Sequence, residues 1–334
     1  MPSFPPIIHA RRFRIVPASS LVLGAMIFVA CQDSPMAPSA TRPTLVGALS
    51  ERGESPSERP FEFTTIDFPG AVLTTGWGIN ARGAIVGSYT DATGRSHGYL
   101  LRHGEFTTID FSATANTEAR GIGRKGEIVG FYRFPGEPPL NLHGFLRTKK
   151  GGFVAVNDPP HINTLAQRIL PDGTILGCRH DEDQMATMRG IVIGRKGSIA
   201  ELDVFGSMEN GGTPDHRRVV GFYFNRAAAD RIEGFLIDDG EFTPLLVPGS
   251  TQTQAWDINR AGEIVGLYRT GTGATAVFHG FVLRDGQYTT LDVPGATATR
   301  LRGINSRGDI VGTFVSADGK SHGFLASHAS KDES

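Results

Sequence analysis

The chain has 334 residues, of which 39% are hydrophobic and 20% charged, and its 33 Lys+Arg against 34 Asp+Glu give a formal net charge of −1. So even a balance argues against nucleic acid as a partner, because nucleic-acid binders are usually strongly basic, and 2 cysteines exclude a disulfide scaffold. The 43 glycines fit a turn-dense all-β protein.

Residues 1–30 read as a targeting segment and not as part of the fold. Arg11, Arg12 and Arg14 are its positive region, and Leu21 to Ala30 is an apolar run too short to span a bilayer as a permanent helix. The segment ends in Phe28-Val29-Ala30-Cys31, which resembles a bacterial lipobox with Phe28 where Leu is usual. Lipidation at Cys31 is the expectation, and a plain secretory cleavage nearby is the alternative. Gln32, which is not Asp, points to the outer membrane by analogy. Residues 31–60, rich in Pro, Ser, Arg and Glu, hold too few apolar residues to fold and read as a disordered tether. With Cys31 acylated, Cys178 is left without a disulfide partner and reads as a buried, inert strand residue.

From Phe63 to Leu325 the chain repeats itself. An F-T-T-I-D element stands at Phe63–Asp67, Phe106–Asp110, Phe153–Asn157, Ile199–Asp203, Phe242–Leu246 and Tyr288–Asp292. An I-V-G element begins at Ile85, Ile128, Ile175, Val219, Ile264 and Ile310, and an H-G-F-L element at His97, His143, Arg189, Glu233, His279 and His322. An I-N-x-x-G turn adds a strand before I-V-G; the fourth copy has Thr213-Pro214-Asp215-His216-Arg217 there instead. Six copies at a period of 43 to 47 residues, with short apolar runs fenced by glycine, predict a six-bladed β-propeller of four-stranded blades over residues 61–326. Residues 327–334 are expected to be a disordered tail.

As a set, H-G-F, I-N-x-x-G-x-I-V-G and F-T-T-I-D-x-P-G-A in series resemble the HAF-type extracellular repeat of bacteria, over about residues 61–326. The resemblance implies an exported repeat protein and carries no assigned activity.

F-T-T-I-D comes first in the chain and H-G-F-L last, so a closed ring requires the N-terminal strand, Phe63–Asp67, to complete the last blade and hide a sheet edge. The distance from the I-V-G glycine to the H-G glycine varies from 11 to 14 residues, which marks a loop. With F-T-T-I-D outermost, that loop shares a face with the P-G-A connections between blades. By fold analogy this is the face that carries a site.

Residues that recur in most blades read as scaffold. His97, His143, His279 and His322 are such residues, with Asp67, Asp110, Asp203 and Asp292 as turn or strand-end caps. Three departures stand out: His180-Asp181-Glu182-Asp183, a solvated acidic loop or a hard-cation site; His216-Arg217-Arg218, an anion holder or the cover of a deletion; and Asp158-Pro159-Pro160-His161, a stiffened turn. Three residues before the Asn of I-N stand Trp77, Arg120, Gln167, Trp256 and Arg302, with Gly211 in the fourth copy. On an innermost strand these side chains would ring a channel mouth, where Trp and Arg suit stacking on sugars and holding anions; the competing reading is packing between blades, since Ile79, Ile122 and Ile258 share their parity. The opposite face carries Arg82, Arg124-Lys125, Arg260, Arg307 and neighbouring cations, a basic surface for anionic lipid or polysaccharide or a set of ordinary solvated turns.

No nucleophile elbow, Walker loop, zincin helix or dinucleotide fingerprint is present, and no metal or cofactor is expected. The sequence therefore predicts a monomeric, exported lipoprotein of a bacterial outer membrane, periplasm or cell surface. It would be a non-catalytic binding or scaffold module for glycan, peptide or an envelope protein. The alternative is an extracellular hydrolase or lyase with its site at the channel mouth.

Overall fold

The computed structural model describes residues 60–159, 161–182 and 187–328; Cys31, the targeting segment, the tether and Asp183 lie outside them. The chain opens with β1 (Phe61–Ile66). Blade 1 follows as β2 (Leu73–Ile79), β3 (Ile85–Thr90), β4 (Ser96–Arg102) and β5 (Glu105–Ile109). Blade 2 is β6 (Asn116–Ile122), β7 (Ile128–Arg133), β8 (His143–Arg147) and β9 (Phe153–Val156). Blade 3 is β10 (Asn163–Ile169), β11 (Ile175–His180), β12 (Arg189–Ile193) and β13 (Ile199–Phe205). Blade 4 is β14 (Ser207–Gly212), β15 (Arg218–Asn225), β16 (Arg231–Asp238) and β17 (Glu241–Leu245). Blade 5 is β18 (Gln252–Ile258), β19 (Ile264–Thr270), β20 (Val277–Arg284) and β21 (Gln287–Thr290). Blade 6 is β22 (Ala298–Ile304), β23 (Ile310–Val315) and β24 (Ser321–His328), with β1 as its outer strand.

These are six antiparallel four-stranded sheets in a ring, the propeller the repeat predicts. The closure is as expected: β1 pairs with β24 from Phe61↔His328 to Ile66↔Gly323. Pairing carries β24 to His328, two residues past the limit read from the motif, and Phe61 stacks on the His328 ring at 4.2 Å.

Each motif residue has a packing reason. The aromatic of H-G-F is fully buried in Tyr99, Phe145, Phe235, Phe281 and Phe324, and Tyr99, Phe145, Phe281 and Phe324 fill the space between blades. The I-V-G glycine sits where a Cβ has no room: at Gly130 it would lie 1.9 Å from the Glu118 carbonyl oxygen and 3.0 Å from the Phe145 ring. The Asn of I-N has two tasks. In Asn305 the Oδ1 accepts the Arg307 and Asp309 N–H groups and shapes the turn, while Nδ2 donates to the Asn80 carbonyl of the next blade at 3.3 Å. Asn259 donates likewise to Asn305 O, and Asn80 to Gly123 O, so blades 5, 6, 1 and 2 are laced in series.

The histidines of H-G-F lie within blades. His97, His279 and His322 face Asp110, Asp292 and Asp67 at 3.0, 2.7 and 2.8 Å, and stack on Tyr89, Tyr268 and Phe314. Each of these carboxylates lies just past the end of the outer strand of its blade. In blade 2, Asn157 replaces that carboxylate and His143 turns to Glu137 at 3.0 Å.

Candidate functional site

The innermost strands are β2, β6, β10, β14, β18 and β22, and each has a β-bulge at one register position. A bulge leaves one residue unpaired and re-aims its side chain. The unpaired residues are Trp77, Arg120, Gln167, Asn210, Trp256 and Arg302. Five of these six are the channel residues expected from the sequence. The sixth is Asn210, one residue before the Gly211 expected there. The reason is one extra residue in the inner hairpin of blade 4: Asn210 to Gly221 spans 11 positions where Trp77 to Gly87 spans 10, while the connection before it is shortened to Gly206 alone between β13 and β14. The bulge removes the parity shared with the isoleucines: Ile79, Ile122 and Ile258 pack in clusters of their own, whereas Trp77 and Trp256 pack with Phe131, Leu165, Met208 and Phe222, which come from blades 2, 3 and 4.

The side chains do not form a plain rim. Trp77 and Trp256 lie with centroids 5.5 Å apart, tilted by 50°. The Arg302 guanidinium carbon sits 3.9 Å from the Trp256 centroid and 4.5 Å from that of Trp77. Arg120 lies over Trp77 at 3.4 Å and pairs with Glu118 at 2.8 Å. Gln167 donates to the Met208 sulfur at 3.5 Å, and Asn210 donates to the Ala255 carbonyl at 2.9 Å. Trp77 and Trp256 thus come together with Arg120 and Arg302, while Gln167 and Asn210 tie neighbouring inner strands to one another.

One level further along the inner strands the channel is shut. At Gly121 a Cβ would meet the Gln167 carbonyl at 2.7 Å, so the strands close on one another there. Arg168 reaches from blade 3 across this level, pairing with Asp257 at 2.9 Å and donating to the Arg302 carbonyl at 3.2 Å. Asp257 also accepts the Ile258 and Ile304 N–H groups, and burial raises its pKa against the opposing pull of Arg168. The axis is therefore closed at the Arg168–Asp257 level, and above this floor Trp256 is buried while Trp77, Arg120 and Arg302 stay part-exposed toward the open end, with Glu118 and Arg300 nearer the mouth; this recess is the cup.

The mouth lies on the face of the variable loops and inter-blade connections, which are bonded together. Arg95 in a variable loop donates to the Ser112 and Ala115 carbonyls of the following connection, and Asp181 accepts from Ile162 N–H and faces His161.

Electrostatically the cup is unbalanced. Burial lowers the pKa of Arg120, Arg300 and Arg302, and neighbouring arginines lower Arg302 further. Glu118 is the one carboxylate in an ion pair with any of the three among the described residues. Nε and Nη1 of Arg302 and Nε of Arg120 are buried with no hydrogen-bond partner. Beside the cup, Glu209 stands where other blades have Gly76, Ala119, Ala166, Ala255 and Leu301, packed against Gly190 of β12. Both its oxygens are buried without a partner, and burial alone pushes its carboxyl up to about 8. Cys178 is a free, buried thiol pushed up to about 12 by burial, so it is protonated and unreactive at neutral pH.

The other departures are paired. His216, Arg217 and Arg218 meet Asp172, Asp239 and Asp238; Arg179 meets Asp158 and Glu201; and His161 meets Asp181. Among the described residues no three His, Cys, Asp or Glu side chains converge as metal ligands. On the turn face Arg307 pairs with Asp309 and Arg284 with Glu263.

No family model and no curated protein sequence matches the chain. Solved structures do. A protein of unknown function from Dyadobacter fermentans is 13% identical with a TM-score of 0.52, over 79% of this chain and 97% of that one. TolB from Acinetobacter baumannii is 12% identical with a TM-score of 0.50, over 73% of this chain and 64% of that one. A gluconolactonase from Xanthomonas campestris is 14% identical with a TM-score of 0.47, over 82% of this chain and 98% of that one. At such identities the likeness is one of fold alone.

Proposed function

We propose that this chain is a non-catalytic binding module of the bacterial cell envelope, exported, held by lipid at Cys31, and taking its ligand in the cup. The observation that carries the reading is the blind axial cup, walled by Trp77, Trp256, Arg120 and Arg302 and floored by the Arg168–Asp257 pair. Concave sites lined by aromatic side chains with a few placed polar groups are where proteins bind small ligands or the ends of larger ones. The titratable groups that could serve chemistry are engaged elsewhere: His97, His279 and His322 face aspartates within their own blades. Export is supported by the N-terminal segment and the resemblance to extracellular repeats. Glycan, peptide or an envelope protein is the partner class.

The test is a glycan array and an immobilised peptide panel probed with the parent and with Trp77→Ala/Trp256→Ala. The indoles hold Arg120 and Arg302 in place, so the double variant should lose tenfold or more in affinity, on the order of the cation–π energies involved. A folded double variant that binds like the parent moves the site off the axis.

A further inference from the structure

Resting on the reading of the cup as a binding site, the geometry points to an oxyanion ligand. We infer that a carboxylate or phosphoryl group is seated on the Arg302 guanidinium, with Arg120 and Arg300 supplying the surrounding positive field.

The argument starts from what the cup lacks. A charge removed from water is held by a partner, or the fold bears a heavy penalty. Arg168 obeys this rule through Asp257, and Arg120 through Glu118. Arg302 does not. Its Nε and Nη1 are buried without a partner, its neighbours are two indoles, and the charges near it are Arg120, Arg300 and Glu118. Arg300 likewise lies over Phe278 at 4.5 Å and has no ion pair among the described residues. Three guanidiniums stand near one carboxylate above the floor, and Glu209 adds none at neutral pH because burial keeps it protonated. An indole face stabilises a cation but satisfies no N–H donor. The missing element is an acceptor with negative charge.

The same geometry says what the indoles are for. Trp77 lies against Arg120 and Arg302, and Trp256 against Arg302, so the aromatic rings position the cations. The ligand is met by guanidinium groups. Sequence reasoning puts the stacking on the ligand; the structure puts it on the arginines.

The experiment uses thermal melts and calorimetry of the purified chain with digalacturonate, with inorganic phosphate, and with sodium chloride at equal ionic strength. One of the two oxyanions should raise the melting temperature by about 3 °C or more beyond chloride at saturation. A digalacturonate response assigns a carboxylate, and a phosphate response a phosphoryl group. Arg302→Met should abolish the response and melt no lower than the parent, because the uncompensated charge is gone. Arg302→Lys keeps the charge without the planar donor array, and should weaken the responding oxyanion at least tenfold. A parent that responds to neither oxyanion beyond chloride, or an Arg302→Lys that responds like the parent, overturns the inference. In that event, neutral-glycan or peptide binding lost in the Trp77→Ala/Trp256→Ala variant leaves the cup a binding site and removes only its charge preference.

Discussion

At the scale of single residues, Glu209 is the clearest departure from the repeat. Where other blades place Gly, Ala or Leu, it buries a carboxyl with neither oxygen bonded. Its folded-state value of about 8 stands above the ordinary 4.5. Between those values the folded chain holds a proton that the unfolded chain has released. Stability is therefore full below about pH 4.5 and declines as pH rises through about 8. Melts of the parent should show a fall in melting temperature between pH 6 and pH 9. Glu209→Gln keeps shape and neutrality, so its profile over that range should be flatter, and at pH 9 it should melt about 5 °C or more above the parent. Parallel profiles would mean that Glu209 finds a partner or reaches water.

At the scale of the element, the inner strand with its bulge is the unit that makes the site. The sequence does carry a trace of it. The I-V-G glycine is opposite the bulge, where the preceding carbonyl occupies the space of a side chain, as Glu118 O does at Gly130. A strict alternation of faces cannot show an extra residue, which is why Trp77 and Ile79 read as neighbours on one face. Blade 4 hides it further: with Asn absent from its turn and one residue added there, counting back from I-V-G lands on Gly211 in place of Asn210. The Asn lacing is also an element-scale device. Asn305→Ala removes two acceptor bonds from the turn and the Nδ2 bonds to Asn80 O and Asp309 Oδ2, and should cost about 1–3 kcal/mol in a denaturant melt. Asn305→Asp keeps the turn acceptor but loses the Nδ2 bonds to Asn80 O and to Asp309 Oδ2 and sets a like charge beside Asp309, so it too should melt below the parent.

At the scale of the whole molecule, the ring was legible because a period of 43 to 47 residues with four glycine-fenced runs leaves little else. The closure was legible from the order of elements. What was not legible is what occurs once: the Arg168–Asp257 floor joins blades 3 and 5 through unrepeated residues, and no repeat can announce it. Removing residues 61–66 strips blade 6 of its outer strand and exposes β24 as an edge. The truncated chain should melt about 10 °C or more below the parent and self-associate, as read by calorimetry and light scattering. For the address, intact-mass analysis of the membrane fraction should find an acylated Cys31 as the first residue, and Cys31→Ser should move the protein to the soluble fraction.

The register of β1 has a mechanical consequence. Phe61, paired with His328, lies at the turn face, and Ile66 leads into the Phe68-Pro69-Gly70 connection on the face of the cup's mouth. A pull between a ligand seated in the cup and the chain upstream of Phe61 therefore runs along the strand. Its rungs are loaded in shear, all at once, and are not peeled one after another. A ring sealed in this sense resists traction applied to the chain at Phe61 far better than heat or truncation data alone would suggest.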